Sequence, residues 1–177
     1  MEAATFGTIT GFLGHFKGLN RRAVRDFGAL AAEAETWRPP RGEGEDGWDV
    51  GQIVAHMAMS RLFFARAYRE LRWQPEPWPD PTRSRTEWVG ALNGSAARLH
   101  DLLQGTPDDW LVRQVPMLDG RPVEGWRVLL LMLEHDVHHR AQVQTYAGLF
   151  GWGSQHIYGR SAEEVGLRPA AADDREP

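Results

Sequence analysis

The feature that most limits what this chain can become is the uninterrupted run GWRVLLLMLEHDVHHRAQVQTYAGLF at 125–150. It holds no proline, is almost wholly apolar in its first half, and turns abruptly polar at HDVHH. A helix that is apolar all round belongs at the centre of a fold. Three further segments read as helices. Phe6, Ile9, Phe12, Leu13, Phe16, Leu19, Ala23 and Phe27 recur at helical spacing and predict a helix over roughly 5–30. Gly11, Gly14 and Gly18 interrupt it, each costing ~1 kcal/mol against alanine, unless they admit a neighbouring helix. Asp49 with Gln52 forms a capping box that starts a helix near Val50, running to about Trp73. Its inner face carries Ile53, His56, Met57, Ser60, Phe63, Phe64 and Ala67. Ser84 with Glu87 starts another from Arg85 to about Gln104, with Trp88, Leu92, Ala96, Leu99 and Leu103 inward and Gly105 as its stop.

The connections differ in kind. TWRPPRGEGEDGW, and QPEPWPDPTR with four prolines in ten residues, exclude helix. Asp119-Gly120 between short extended runs predicts a small hairpin before the last helix. Long helices joined by modest loops give an all-α, antiparallel four-helix bundle. If 74–84 is instead a long crossover, the topology changes. At 177 residues, 42% of them hydrophobic, one domain over 1–168 accounts for the chain, with 169–177 a frayed tail. Such a chain buries a core without a staple, so a metal here serves function.

Composition removes several functions. The net charge of −4 lacks the basic footprint of a nucleic-acid binder. The absence of cysteine excludes disulfides, thiolate zinc sites and a cysteine nucleophile. Glu2 stands where a signal peptide carries positive charge, and no stretch approaches the ~18–20 apolar residues of a membrane span, so a cytoplasmic protein is expected.

Seven histidines remain: His15, His56, His100, His135, His138, His139 and His156. His135 and His139 are i and i+4 and share a helix face, the spacing of helical zinc-ligand pairs. His138, at i+3, is the alternative to His139. His56 lies mid-helix among Ile, Met and Phe, where a neutral imidazole wants a partner. Taken singly, His56 reads as a satisfied core histidine and HDVHH as a solvated polar patch. Together they predict one ion held by His56, His135 and His139. Three imidazoles suit zinc or nickel first, with iron, cobalt or manganese behind, and leave positions open for water or substrate. A zincin reading of HDVHH would need Asp136 to replace a longer glutamate, and an HD-type phosphohydrolase would need further His and Asp ligands. As catalytic groups, Asp136 and His138 are weak candidates for a base or for orienting a ligand. Asp136 otherwise faces solvent. Arg140 either meets a substrate carboxylate or is a surface charge. Trp48 and Trp126 begin helices and either pack or line a pocket mouth, and Tyr158 of IYGR could fold back over the site.

WDVGQIVAHMAMSRLFF, then EHDVHHRAQVQTYAGLFG about eighty residues later, then IYGRSAEEVG, resemble the DinB/YfiT-like superfamily. The resemblance spans the chain from the first helix to about Gly166. It implies a four-helix bundle with a long crossover, often homodimeric, and a metal on three histidines that fall here on His56, His135 and His139. It also implies thiol-dependent chemistry on a small molecule. Members include S-transferases that use bacillithiol and a mycothiol-dependent maleylpyruvate isomerase, while others carry only a metal-dependent hydrolase label. The expected function is therefore a metal-dependent thiol S-transferase or hydrolase, with a low-molecular-weight thiol as co-substrate. The alternative is a non-catalytic metal-binding or stress-related bundle whose metal is structural or vestigial.

Overall fold

A computed structural model describes residues 6–40, 42–74, 77, 79–153, 156, 159–161 and 164–166. Four helices dominate it: α1 (Ile9–Gly28), α2 (Val50–Glu70), α3 (Arg85–Leu103) and α4 (Gly125–Phe150). Both predicted capping boxes form. Asp49 Oδ1 accepts from the Gln52 backbone N–H at 2.9 Å while Gln52 Oε1 accepts from Asp49, and Ser84 and Glu87 do the same for α3. Helix α1 starts at Ile9 rather than Thr5, because Thr8 takes the cap position and Asp108 accepts from the Ile9 N–H at 2.8 Å. Helix α2 stops at Glu70, three residues short of Trp73, because Leu71 turns left-handed at φ 59°.

The connection 71–84 decides the topology. In α2 and α3, Arg61 meets Leu92 and Ser95 while Arg69 meets Leu102, so the two helices run parallel. A 14-residue link must then travel the length of the bundle, as the crossover reading of 74–84 anticipates. Pro77 and Pro79 lie beside Ala58, Met59 and Leu62 of α2 along that path. Its far end packs so tightly that an added Cβ at Gly51 would strike the Thr82 carbonyl. Helix α2 runs antiparallel to α4: His56 faces His135, and Tyr68 lies against Gly125 at the start of α4. Helix α1 packs antiparallel to α3 and parallel to α4.

Glycines 11, 14 and 18 do not admit a neighbouring helix, contrary to one expectation: around their missing side chains lie only their own helix's atoms or open space. Close approach happens at Gly125, where a side chain would meet the Trp110 carbonyl and the Tyr68 ring. The hairpin is present as β1 (Gln114–Pro116) and β2 (Pro122–Glu124), paired antiparallel with Val115 opposite Val123. Asp119 and Gly120 end its four-residue turn, Gly120 at φ 80°.

Two apolar clusters fill the bundle. One gathers Phe12, Phe16, Leu62, Tyr68, Leu99 and Leu129, the other Phe27, Ile53, Met57, Trp88, Leu92 and Val143. Arg61, fully buried, joins them. Its guanidinium lies over the Phe16 ring at 5.1 Å and donates to the Leu92 carbonyl at 2.8 Å and to Ser95 Oγ at 2.9 Å. The rest of its fork grips Asp136 at 2.7–3.2 Å. Asp136 therefore does not face solvent: it is 1% exposed and spent on Arg61. Arg140 is likewise buried, 3.6 Å from Asp26 of α1, which also accepts from Gln144. It is therefore not a surface charge.

Candidate metal centre

Helices α2 and α4 cross so that one turn of each contributes imidazoles to a common point. His56 Nε2 and His135 Nε2 are 2.8 Å apart, and the ring centroid of His139 lies 4.8 Å from His56 and 4.5 Å from His135. One nitrogen from each ring lies within 4.8 Å of the other two. The i, i+4 spacing in α4 places two rings on one face, and the antiparallel packing of α2 brings the third. His138 turns outward. It is exposed, and it groups instead with Glu45 and His139.

Burial sets the charge state of these rings. It pulls the His56 imidazole down to about 4, assisted by His139 across the gap. It pulls His135 down to about 3, with His139 and His56 adding to the effect. His139 is also lowered by burial, although its bond to Gln142 works the other way. At neutral pH all three are neutral and carry lone pairs, the state in which histidine binds a metal. The His139 Nδ1 is tied to Gln142 Oε1 at 3.1 Å, which leaves Nε2 for the common point. Gln142 is fixed in turn by donating to the Glu45 carbonyl at 2.8 Å. The buried Nδ1 of His135 meets no protein hydrogen-bond partner.

The surroundings include groups that the sequence pattern did not single out. Ser60 Oγ approaches His56 Nε2 at 3.4 Å, one helical turn along the inner face of α2. Gln142 stands at i+3 from His139, a spacing that could have found it. Glu45 comes from a 3-10 turn (Gly44–Gly47), where no periodicity points to it. Trp48 does reach the site, its ring 4.8 Å from His56 and 6.3 Å from His139. Trp126 does not; it is buried in the first apolar cluster and donates to Glu124 at 2.7 Å. Tyr158 lies outside the described residues.

The triad opens into a cleft of about 550 Å³ walled by Met59, Phe63, Phe64, Trp73, Met117 and Leu131. The hairpin closes one side, held by Trp73 donating to the Pro116 carbonyl at 2.7 Å. A larger groove of about 910 Å³ runs between α1 and α3, but it lies away from the histidine triad.

A family model described as the DinB family matches residues 9–172. The chain belongs to the DinB family. A solved structure of a DinB-like protein from Bacillus cereus ATCC 10987 shares the DinB fold with it at a TM-score of 0.66. That likeness covers 87% of this chain and 100% of the other, at 19% sequence identity. No curated protein matches this DinB-family chain. Among its described residues, no helix is long and apolar enough to cross a membrane.

Proposed function

We propose that His56, His135 and His139 hold a divalent transition metal, zinc or nickel first, and that the protein is a metal-dependent thiol S-transferase or hydrolase acting on a small molecule. One observation carries the reading: three imidazoles kept neutral by burial converge on one point beside an open cleft. Imidazoles crowded together without a carboxylate among them suit a soft or borderline cation that they can share. The donor set therefore fits such an ion. When bound, it would supply Lewis acidity toward a thiol or a water at its open positions.

The chain's own residues do the rest. Gln142 holds the tautomer and tilt of His139. Trp48 covers the triad on the side of the 3-10 turn. Exposed His138 and Glu45 group with His139 at the mouth of the cleft, where His138 remains the candidate base. Asp136 leaves the set of candidate bases, because its oxygens are committed to Arg61. With no cysteine in the chain, any sulfur nucleophile comes with the substrate. A homodimer in the cytoplasm completes the reading, carried by the family resemblance and the composition.

Elemental analysis of purified protein, followed by a thiol-conjugation screen with a reactive electrophile, tests the proposal. About one equivalent of metal, lost in His56→Ala, together with metal-dependent conjugation or hydrolysis, is expected. A metal-bound protein whose spectrum ignores added thiol, and which turns over no substrate, would leave only the non-catalytic alternative.

A further inference from the structure

We infer that Glu45 and His138, together with His139, form an outer receiving site that captures a divalent transition-metal ion from solvent and passes it inward to the triad. The inference rests on the metal reading proposed above and adds the route by which that site is filled. Two sets of three donors stand side by side: His56, His135 and His139, and Glu45, His138 and His139. Within each set the ligand atoms lie within 4.8 Å of one another. The sets differ in exposure. In the first, His139 is buried and the other two residues are half-buried; in the second, Glu45 and His138 are exposed. His139 belongs to both. Its ring centroid stands 4.9 Å from that of His138 and 4.5 Å from that of His135. With Nδ1 bonded to Gln142, Nε2 is the nitrogen that His139 offers in either set.

An ion held on this nitrogen changes partners without leaving the protein. Glu45 and His138 are released as His135 and His56 bind, one ligand at a time. The ion on the outer set is thus presented to the triad as an intramolecular partner, at high effective concentration. Two further observations favour entry here. The described residues that line the cleft include Glu45 and Glu134 and neither lysine nor arginine, so the metal-free cleft draws a cation inward. The turn that carries Glu45 is also tied to the shared ring, because Gln142 bonds His139 Nδ1 at 3.1 Å and donates to the Glu45 carbonyl at 2.8 Å. The direction of transfer follows from the donors. Three imidazoles suit a borderline cation better than a set with a carboxylate, and water competes less for the ion once it is off the exposed residues.

The rate of zinc uptake tests this. Metal-free protein is mixed with zinc(II) by stopped flow, a fluorescent zinc indicator follows the fall in free ion, and elemental analysis gives the final stoichiometry. Glu45→Gln combined with His138→Ala should slow uptake by about tenfold or more. Final stoichiometry and affinity should stay at those of the parent, so release into excess chelator slows by the same factor. Glu134→Gln removes the same charge from the cleft but no donor of either set, and should slow uptake far less. Uptake at the parent rate in the double variant would overturn the inference, as would equal slowing by Glu134→Gln. A loss of final affinity in the double variant would also overturn it, since Glu45 and His138 would then be ligands of the resting ion. Failure of the metal reading shows separately: the parent would take up no zinc, or His56→Ala would hold it as tightly as the parent.

Discussion

Six consecutive residues of α4, His135 to Arg140, supply two polar regions built on opposite plans. On one side, Asp136 and Arg140 reach into the bundle and meet charges of opposite sign on α2 and α1. On the other, His135 and His139 meet another imidazole, from α2, with Gln142, Trp48 and Phe64 around them. The first plan is closed: Asp136 is fully covered and its oxygens are spoken for within the protein. The second is open: three neutral donors gather where a cleft reaches them. A buried ion pair such as Asp136 with Arg61 holds a fold together, whereas neutral imidazoles gathered beside a cavity are placed to take a ligand from outside.

The largest expected effect breaks the closed region. Asp136→Ala leaves the Arg61 cation buried without its counter-ion and should destabilise the fold by about 3–5 kcal/mol in urea denaturation. The double replacement Arg61→Met with Asp136→Leu should recover most of that loss, since no charge is then stranded. If the single variant is as stable as the parent, the contrast between the two regions disappears.

The open region should respond in the reverse way. His139→Ala should abolish stoichiometric binding of cobalt or zinc while leaving the metal-free fold standing, and His138→Ala should keep the metal. Loss of metal in His138→Ala alone would move the site one residue along α4. A smaller effect is expected from Gln142→Ala, which frees the far nitrogen of His139 and should weaken metal affinity by about 10–100-fold in competition with a chromophoric chelator.

The last test is a pH dependence of the metal-free protein. His56 and His135 titrate near 4 and 3 when folded and near 6.5 when unfolded, so between these values the unfolded chain binds more protons. Their contribution is full above about pH 6.5 and is lost as pH falls toward 4. Denaturation midpoints measured at pH 7 and pH 4.5 should separate more in the parent than in a His56→Ala, His135→Ala variant. Identical separations would mean that burial does not hold these rings neutral.

Much of this was legible along the chain, for local reasons. The bounds of α4 coincide with the expected 125–150, because Gly125 and Gly151 punctuate a run with nothing to break it. Both capping boxes could be read, since a cap is a bond between residues three apart. That His135 and His139 share a face followed from helical spacing, with His138 as the alternative partner. Other features had no local signature. The early stop of α2 hangs on one left-handed leucine. Glu45 arrives on an aperiodic turn, and Asp136 could be placed inward only once Arg61 was known to lie opposite it.

By itself the sequence determined where α2 begins, where α3 and α4 run, and which imidazoles share a face, because each depends on residues within a turn or two of one another. Only the tertiary structure decided that α2 and α3 run parallel, that His56 lies beside the α4 pair, and that an aromatic cleft opens next to them. Those outcomes depend on how whole helices pack. Whether a charge beside His135 points to core or cleft is a rotation of about 100° on the helix, and it acquires meaning only when the neighbouring helix is in place.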